Sequence, residues 1–161
     1  MTNRTFPVRH VVDEQIEKFL DWLGSCYRDD PISPVLIEVN LTTKKPGPGI
    51  NKRILRVWEQ VKEKPHPPIE ANTEFDAMYA GGLFFLFGDV RRVGRSSLLG
   101  FEWNKKNKLF IMERTGKTEQ QLFDPMVINP TLTPEMALEL GIATERLVKP
   151  VRIGELRIMT G

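Results

Sequence analysis

Apolar residues along this chain fall into two rhythms, and the alternation between them predicts its elements. Ile16, Phe19, Leu20 and Leu23 recur at helical spacing behind Asp13, a residue type that caps helix starts, and Gly24 stands where a closing glycine belongs. This predicts a one-sided amphipathic helix. Asp29, Asp30 and Pro31 mark a turn, after which PVLIEVNL alternates Val35, Ile37 and Val39 with Leu36, Glu38 and Asn40, a mostly buried strand. KKPGPG breaks the pattern, and a second helix follows from Ile50 with Ile54, Val57, Trp58 and Val61 on one face. Strand, glycine-rich loop and helix open a right-handed crossover unit, which implies a largely parallel sheet.

The remaining segments continue that plan. KEKPHPPIEAN reads as a proline-rich loop entering a short strand. FDAMYAGGLFFLFG suits a helix whose glycines pack closely on the sheet, although its periodicity also permits a strand. SSLLGFEW with NKKNK and LFIMER fits either a hairpin or a strand followed by a short helix, and the pattern leaves both open. TPEMALEL is a helix with Thr133 as N-cap, Pro134 at its first position and Gly141 closing it, and VRIGELRI is a last strand. No internal repeat interrupts the chain, so residues 1–161 are expected to form a single α/β domain.

Composition narrows the function classes. A hydrophobic content of 40% with 27% charge over 161 residues is enough for one real core. The apolar runs near Arg4, Arg9 and His10 are too short for a signal peptide or membrane span, so a soluble, cytoplasmic protein with no membrane partner is expected. Cys26 is the only cysteine and His10 and His66 the only histidines, which leaves no disulfide framework and argues against a metal centre; no cofactor is expected. Cys26 reads as a small buried hydrophobe. The net charge of +2 is uneven: Asp13, Glu14, Glu17, Asp21, Asp29 and Asp30 are acidic, whereas Lys44, Lys45, Lys52, Arg53, Arg56, then Arg91, Arg92, Arg95, Lys105, Lys106 and Lys108 form two basic stretches. Such stretches are more often solvated surface than a phosphate-backbone site.

Four segments, in order, resemble the Clp peptidase proteolytic subunit of the ClpP/crotonase superfamily. DDPISPVLIEVN with its Pro/Gly loop and helix is similar to that family's strand, Pro-Gly-Gly-Ser loop and following helix. AMYAGGLFFLFG has the length and texture of the nucleophile-bearing segment. ERTGKTEQQL is similar to the stretch that ends the family's long handle helix, and LTPEMALELGIATERL to its C-terminal signature. The resemblance spans Phe6 to Val151 and implies a ClpP/crotonase-like fold, a mainly parallel sheet with flanking helices. Too few residues separate Gly88 from Thr133 for a crotonase middle section, which favours the Clp side.

The departures from the family pattern carry the functional expectation. Acyl transfer of this kind needs a serine, a histidine to take its proton and a carboxylate to orient the histidine. Counted from Gly88, the nucleophile position falls on Tyr79; the histidine position falls on Glu102 or Trp103; the third falls on Pro125 beside Asp124. A phenol with an ordinary pKa near 10 is a poor nucleophile at neutral pH. Gly47 and Gly49, with Ala80, stand at the oxyanion-loop equivalents, but Pro48 removes an amide donor there. RTGKT imitates a phosphate loop, yet Ile111 stands where the pattern needs glycine.

The resemblance begins within a few residues of Met1, without the upstream segment that helps the family dock its unfoldase, and NKKNKLFIMERTG reads as a shortened handle, so direct unfoldase docking is not expected. The resemblance therefore implies a catalytically inactive Clp-like subunit, a homo-oligomer or a hetero-oligomer with Clp peptidase subunits, with FFLFG and LLGFEW as the apolar surface that partners cover. Two alternatives stand beside it. One is a residual hydrolase using Tyr79, Glu102 and Asp124; the other binds nucleic acid or an acidic partner through Lys44, Lys45, Arg91 and Arg92.

Overall fold

A computed structural model describes residues 3–9, 13–41 and 48–148. A five-stranded, wholly parallel sheet forms the frame. It comprises β1 (Thr5–Val8), β2 (Val35–Val39), β3 (Ile69–Thr73), β5 (Val90–Val93) and β7 (Glu145–Arg146), ordered β1-β2-β3-β5-β7. A second parallel pair joins β4 (Asp76–Met78) to β6 (Leu98–Gly100) and is tied to the chain beyond β2 by a bridge between Leu41 and Ala77. The helices are α1 (Asp13–Asp29), α2 (Pro48–Glu63), α3 (Ala80–Phe85), α4 (Lys105–Thr115), α5 (Glu119–Ile128) and α6 (Pro134–Glu139). The mainly parallel α/β architecture is the expected one.

Alternation along β2 buries Val35, Ile37 and Val39 as the pattern requires, and α2 buries Ile54, Val57, Trp58 and Val61. Between the helices and the sheet, Phe19 packs against Phe84 and Phe87 at 5.6 and 5.5 Å, and Trp58 continues the cluster to Phe87 and Phe110 at 5.2 and 5.6 Å. These separations are those of favourable tilted and edge-to-face aromatic pairs. Cys26 is buried in the same core.

Several expectations need correction. Gly24 does not close α1, which runs on to Asp29 because Cys26 extends the buried stripe of Ile16, Phe19 and Leu23 by one more turn. Packing outweighs the roughly 1 kcal/mol that an internal glycine costs a helix. The helix ends where the Arg4 guanidinium takes up the carbonyls of Cys26 and Asp30 at 3.1 and 2.9 Å. FDAMYAGGLFFLFG is both of its readings in turn, strand β4 and then helix α3. SSLLGFEW and LFIMER form a strand followed by a helix, with no hairpin between them.

FFLFG and LLGFEW are not partner surface. Phe84, Phe85, Leu86, Phe87, Leu99 and Phe101 lie in the chain's own core, and of these segments only Leu98 is an exposed large apolar residue. Strands β1, β5 and β7 and helix α5 were not anticipated. α5 opens on a capping box in which Thr118 accepts from the Gln121 amide and the Gln121 side chain accepts from the Thr118 amide, a signal that Pro125 further along obscures. Thr133, Pro134 and Gly141 act as expected around α6, with Gly141 at φ 76°. KKPG and VRIGELRI lie outside the described residues.

Candidate functional site

The site is built on the turn from β4 into α3. The Tyr79 amide donates to the Gly100 carbonyl at 2.8 Å, and Tyr79 takes φ 54° and ψ −111°, the only positive φ among the described residues other than glycines. A bulky residue in that region holds about 1–3 kcal/mol of strain, which persists only where the surroundings over-determine it. Here they do. Gly81 lets α3 meet Leu41 and Val39, and a Cβ on Gly82 would lie 2.8 Å from the Gly100 carbonyl oxygen, so α3 and β6 touch backbone to backbone. Ala80 is buried at the first position of α3.

The far end of α3 is held by two arginines. Arg114 donates to the Leu86 and Gly88 carbonyls at 2.7 and 3.1 Å and pairs with Asp89 at 2.9 Å, and its guanidinium lies 4.5 Å from the Trp58 ring centre. Arg91 is 5% exposed and donates to the carbonyls of Gly88, Gly141, Ile142 and Arg114. Burial, with the nearby Arg114 charge, draws the Arg91 pKa down to about 10, so it remains a cation at neutral pH. Arg91 therefore belongs to the interior, against the expectation of solvated surface. Arg92 is held by Glu70 and Glu145 at 2.6 and 3.3 Å, and Arg53 by Asp13 and Glu17. Lys44 and Lys45 lie outside the described residues.

The chain leaving β6 supplies a polar cluster. Glu102 is half-buried and does not simply face solvent: its Oε2 accepts from Asn51 Nδ2 at 3.0 Å, and its carbonyl accepts from Asn107 Nδ2 at 2.9 Å. Asn51 and Asn107 are 4% and 1% exposed, and the side-chain oxygen of each has no hydrogen-bond partner. Buried amide oxygens of this kind are costly, so they are uncommon outside functional or strained places.

Sequence reasoning missed both asparagines, although a signal was present. Asn51 falls on the Ile54–Trp58 stripe and Asn107 on the face of Phe110 and Ile111, polar residues where the helical period calls for apolar ones. Asn104 caps α4 by accepting from the Asn107 amide at 2.9 Å, which fixes that side chain's position.

The structure brings only some of the sequence-selected positions together. Tyr79 and Glu102 flank Gly100 on neighbouring segments, but the carboxylate's described hydrogen bond runs to Asn51 and not to the phenol. Trp103 is half-buried and meets Phe123 edge to face at 6.3 Å, which places the middle of α5 beside it. Asp124 is exposed on α5, and Pro125 is half-buried inside that helix. Gly49 lies in the first turn of α2 with open space around it, whereas Gly47 lies outside the described residues. His66 Nδ1 lies 2.7 Å from the carbonyl oxygen of the next residue, Pro67; His10 lies outside the described residues. Among the described residues no three His, Cys, Asp or Glu side chains cluster as a metal set, and no helix is long and apolar enough to cross a membrane.

No family model matches this chain, and no curated protein matches it in sequence. Solved structures do match it in shape. One, described only as an enzyme, is 11% identical with a TM-score of 0.76, over 91% of this chain and 96% of that one. A mutant ClpP1 from Listeria monocytogenes is 15% identical with a TM-score of 0.73, over 90% and 91%. A peptidase from Plasmodium falciparum is 11% identical with a TM-score of 0.74, over 91% and 96%. At these identities the likeness is one of fold: the chain has a ClpP-like fold.

Proposed function

We propose that this chain is a non-proteolytic ClpP-like subunit whose use lies in oligomeric contact, as a ring of its own or within a Clp-type peptidase complex. The observation that carries the reading is Tyr79 at the strained β4–α3 turn, the place where the resemblance puts a serine. A tyrosine there replaces the short, strongly nucleophilic alkoxide that a serine–imidazole pair generates with a weakly nucleophilic phenol. The contact role is supported by α5, where Phe123, Val127 and Ile128 are exposed, with Phe123 and Val127 four residues apart on one face.

The test combines two measurements. Exposure to a fluorophosphonate is expected to leave the mass of the protein unchanged, and native mass measurement is expected to give a discrete oligomer, alone or with a co-expressed Clp peptidase. Covalent capture would remove the first half of the reading, and a strict monomer under both conditions the second.

One observation favours a residual hydrolase instead. The Glu102 carboxylate, half-buried just beyond β6 and held by Asn51, supplies an acid near the turn for proton transfer. In that case peptide or acyl substrates are turned over, and Tyr79→Phe or Glu102→Gln abolishes the turnover.

A further inference from the structure

A cleft of about 410 Å³ lies between α2 and α4, and Tyr79 is not among the residues that line it. Its floor is apolar, formed by Leu55, Trp58, Leu109 and Phe110, and its rim carries the cations Lys52, Arg56 and Lys106. The helical period explains the arrangement. Lys52 and Arg56 stand four apart on α2, Lys106 and Phe110 four apart on α4, so each helix turns cations and apolar side chains toward the same groove. The volume is within the range of roughly 300–1,000 Å³ common to small-molecule sites.

The charge on this rim is not neutralised from within. The two acids of the cleft, Glu59 and Glu113, both pair with Lys62, at 3.3 and 2.7 Å, and Glu113 also accepts the Trp58 indole at 2.7 Å. Burial opposes ionisation of Glu113, but the Lys62 and Trp58 contacts outweigh it and hold its pKa below the usual value; the pKa of Lys62 is raised in step. Lys52, Arg56 and Lys106 are exposed, and none of the ion pairs among the described residues includes them. An excess of positive charge around an apolar floor selects ligands of one kind.

The geometry points to a binding site for an amphipathic anion, a carboxylate carrying an aliphatic or aromatic body, whose body covers Leu55, Leu109 and Phe110 while its head meets Arg56, Lys52 and Lys106. Tyr79 takes no part in this site, which requires no catalytic competence. It also gives part of the first basic stretch a role distinct from holding a phosphate backbone.

The experiment is a titration of the full chain, followed by the Trp58 indole N–H resonance, assigned with Trp58→Phe. The probes are decanoate, decyltrimethylammonium as the matched cation, and acetate as the isolated head. Decanoate is expected to shift the Trp58 indole and the amides of Leu55 and Leu109 saturably, and acetate to leave them in place. Arg56→Glu and Lys106→Glu, on different helices, are each expected to weaken decanoate binding by about fivefold to tenfold at low salt, and added salt to weaken it as well. Lys18→Glu, on α1, serves as the charge-matched control and is expected to leave the affinity unchanged. Equal binding of decanoate and decyltrimethylammonium, indifference to both rim reversals, or no shift with decanoate would each overturn the proposal.

Discussion

Replacing Arg91 by alanine removes four hydrogen bonds at once, to the carbonyls of Ile142, Gly88, Gly141 and Arg114, which accept from its guanidinium at 2.7, 2.8, 2.8 and 3.2 Å; of these only Gly88 keeps a second guanidinium donor, Arg114. Each hydrogen bond from a charged donor contributes about 1.5–3 kcal/mol, so the lower bound of the set is about 6 kcal/mol. Against this stands the cost of burying the cation. Burial draws the pKa down from its ordinary value to about 10, a drop that amounts to about 3 kcal/mol. A net loss of about 3 kcal/mol is therefore expected for Arg91→Ala.

The same reasoning orders the other substitutions. Arg91→Met restores apolar volume but no donors and is expected to lose nearly as much, whereas Arg91→Lys keeps the charge with fewer donors in a different geometry and is expected to lose about half. Urea unfolding at neutral pH measures all three. A loss below about 1 kcal/mol for both Arg91→Ala and Arg91→Met would mean that the freed carbonyls find other partners or water, and the accounting would fail.

Other expectations are as concrete. Gly82→Ala forces a Cβ to 2.8 Å from the Gly100 carbonyl oxygen and from the Phe101 ring, and is expected to destabilise by about 1–3 kcal/mol in the same unfolding assay. Glu113 has a lowered pKa, so its contribution is present above its unfolded pKa near 4.5 and lost as pH falls through the lower folded value. Glu113→Gln is thus expected to flatten the acid limb of the stability profile, by under about 1 kcal/mol because both partners are partly solvated; an unchanged acid limb would count against the Lys62 pairing. Burial, which outweighs the opposing effect of Arg4, pushes the Cys26 thiol pKa up. A thiol reagent at mildly alkaline pH is therefore expected to label Cys26 only slowly until denaturant is added, and fast labelling of the native chain would contradict its place in the core.

The elements that followed from the chain alone are those whose signal is local. Strand β2, helix α2 and the capped helix α6 are written in period and cap residues, and the parallel sheet follows from the handedness of a strand–loop–helix crossover. Tyr79, Glu102 and Trp103 were reached by counting along the segments; the structure puts Tyr79 at the β4–α3 turn and the other two just beyond β6. What they touch could not be read that way.

The partnership of Glu102 with Asn51, 51 residues away, the burial of Arg91 among carbonyls from three segments, and the commitment of FFLFG to the chain's own core were decided only by tertiary structure. Periodicity reports which face of an element is apolar, but not what that face will meet. Hydrogen bonds between distant residues form only after the chain has brought them together, and close backbone approach decides where an ordinary helix glycine becomes irreplaceable. The rim of cations between α2 and α4 is the same case, since Lys52 and Lys106 become neighbours only when the two helices pack.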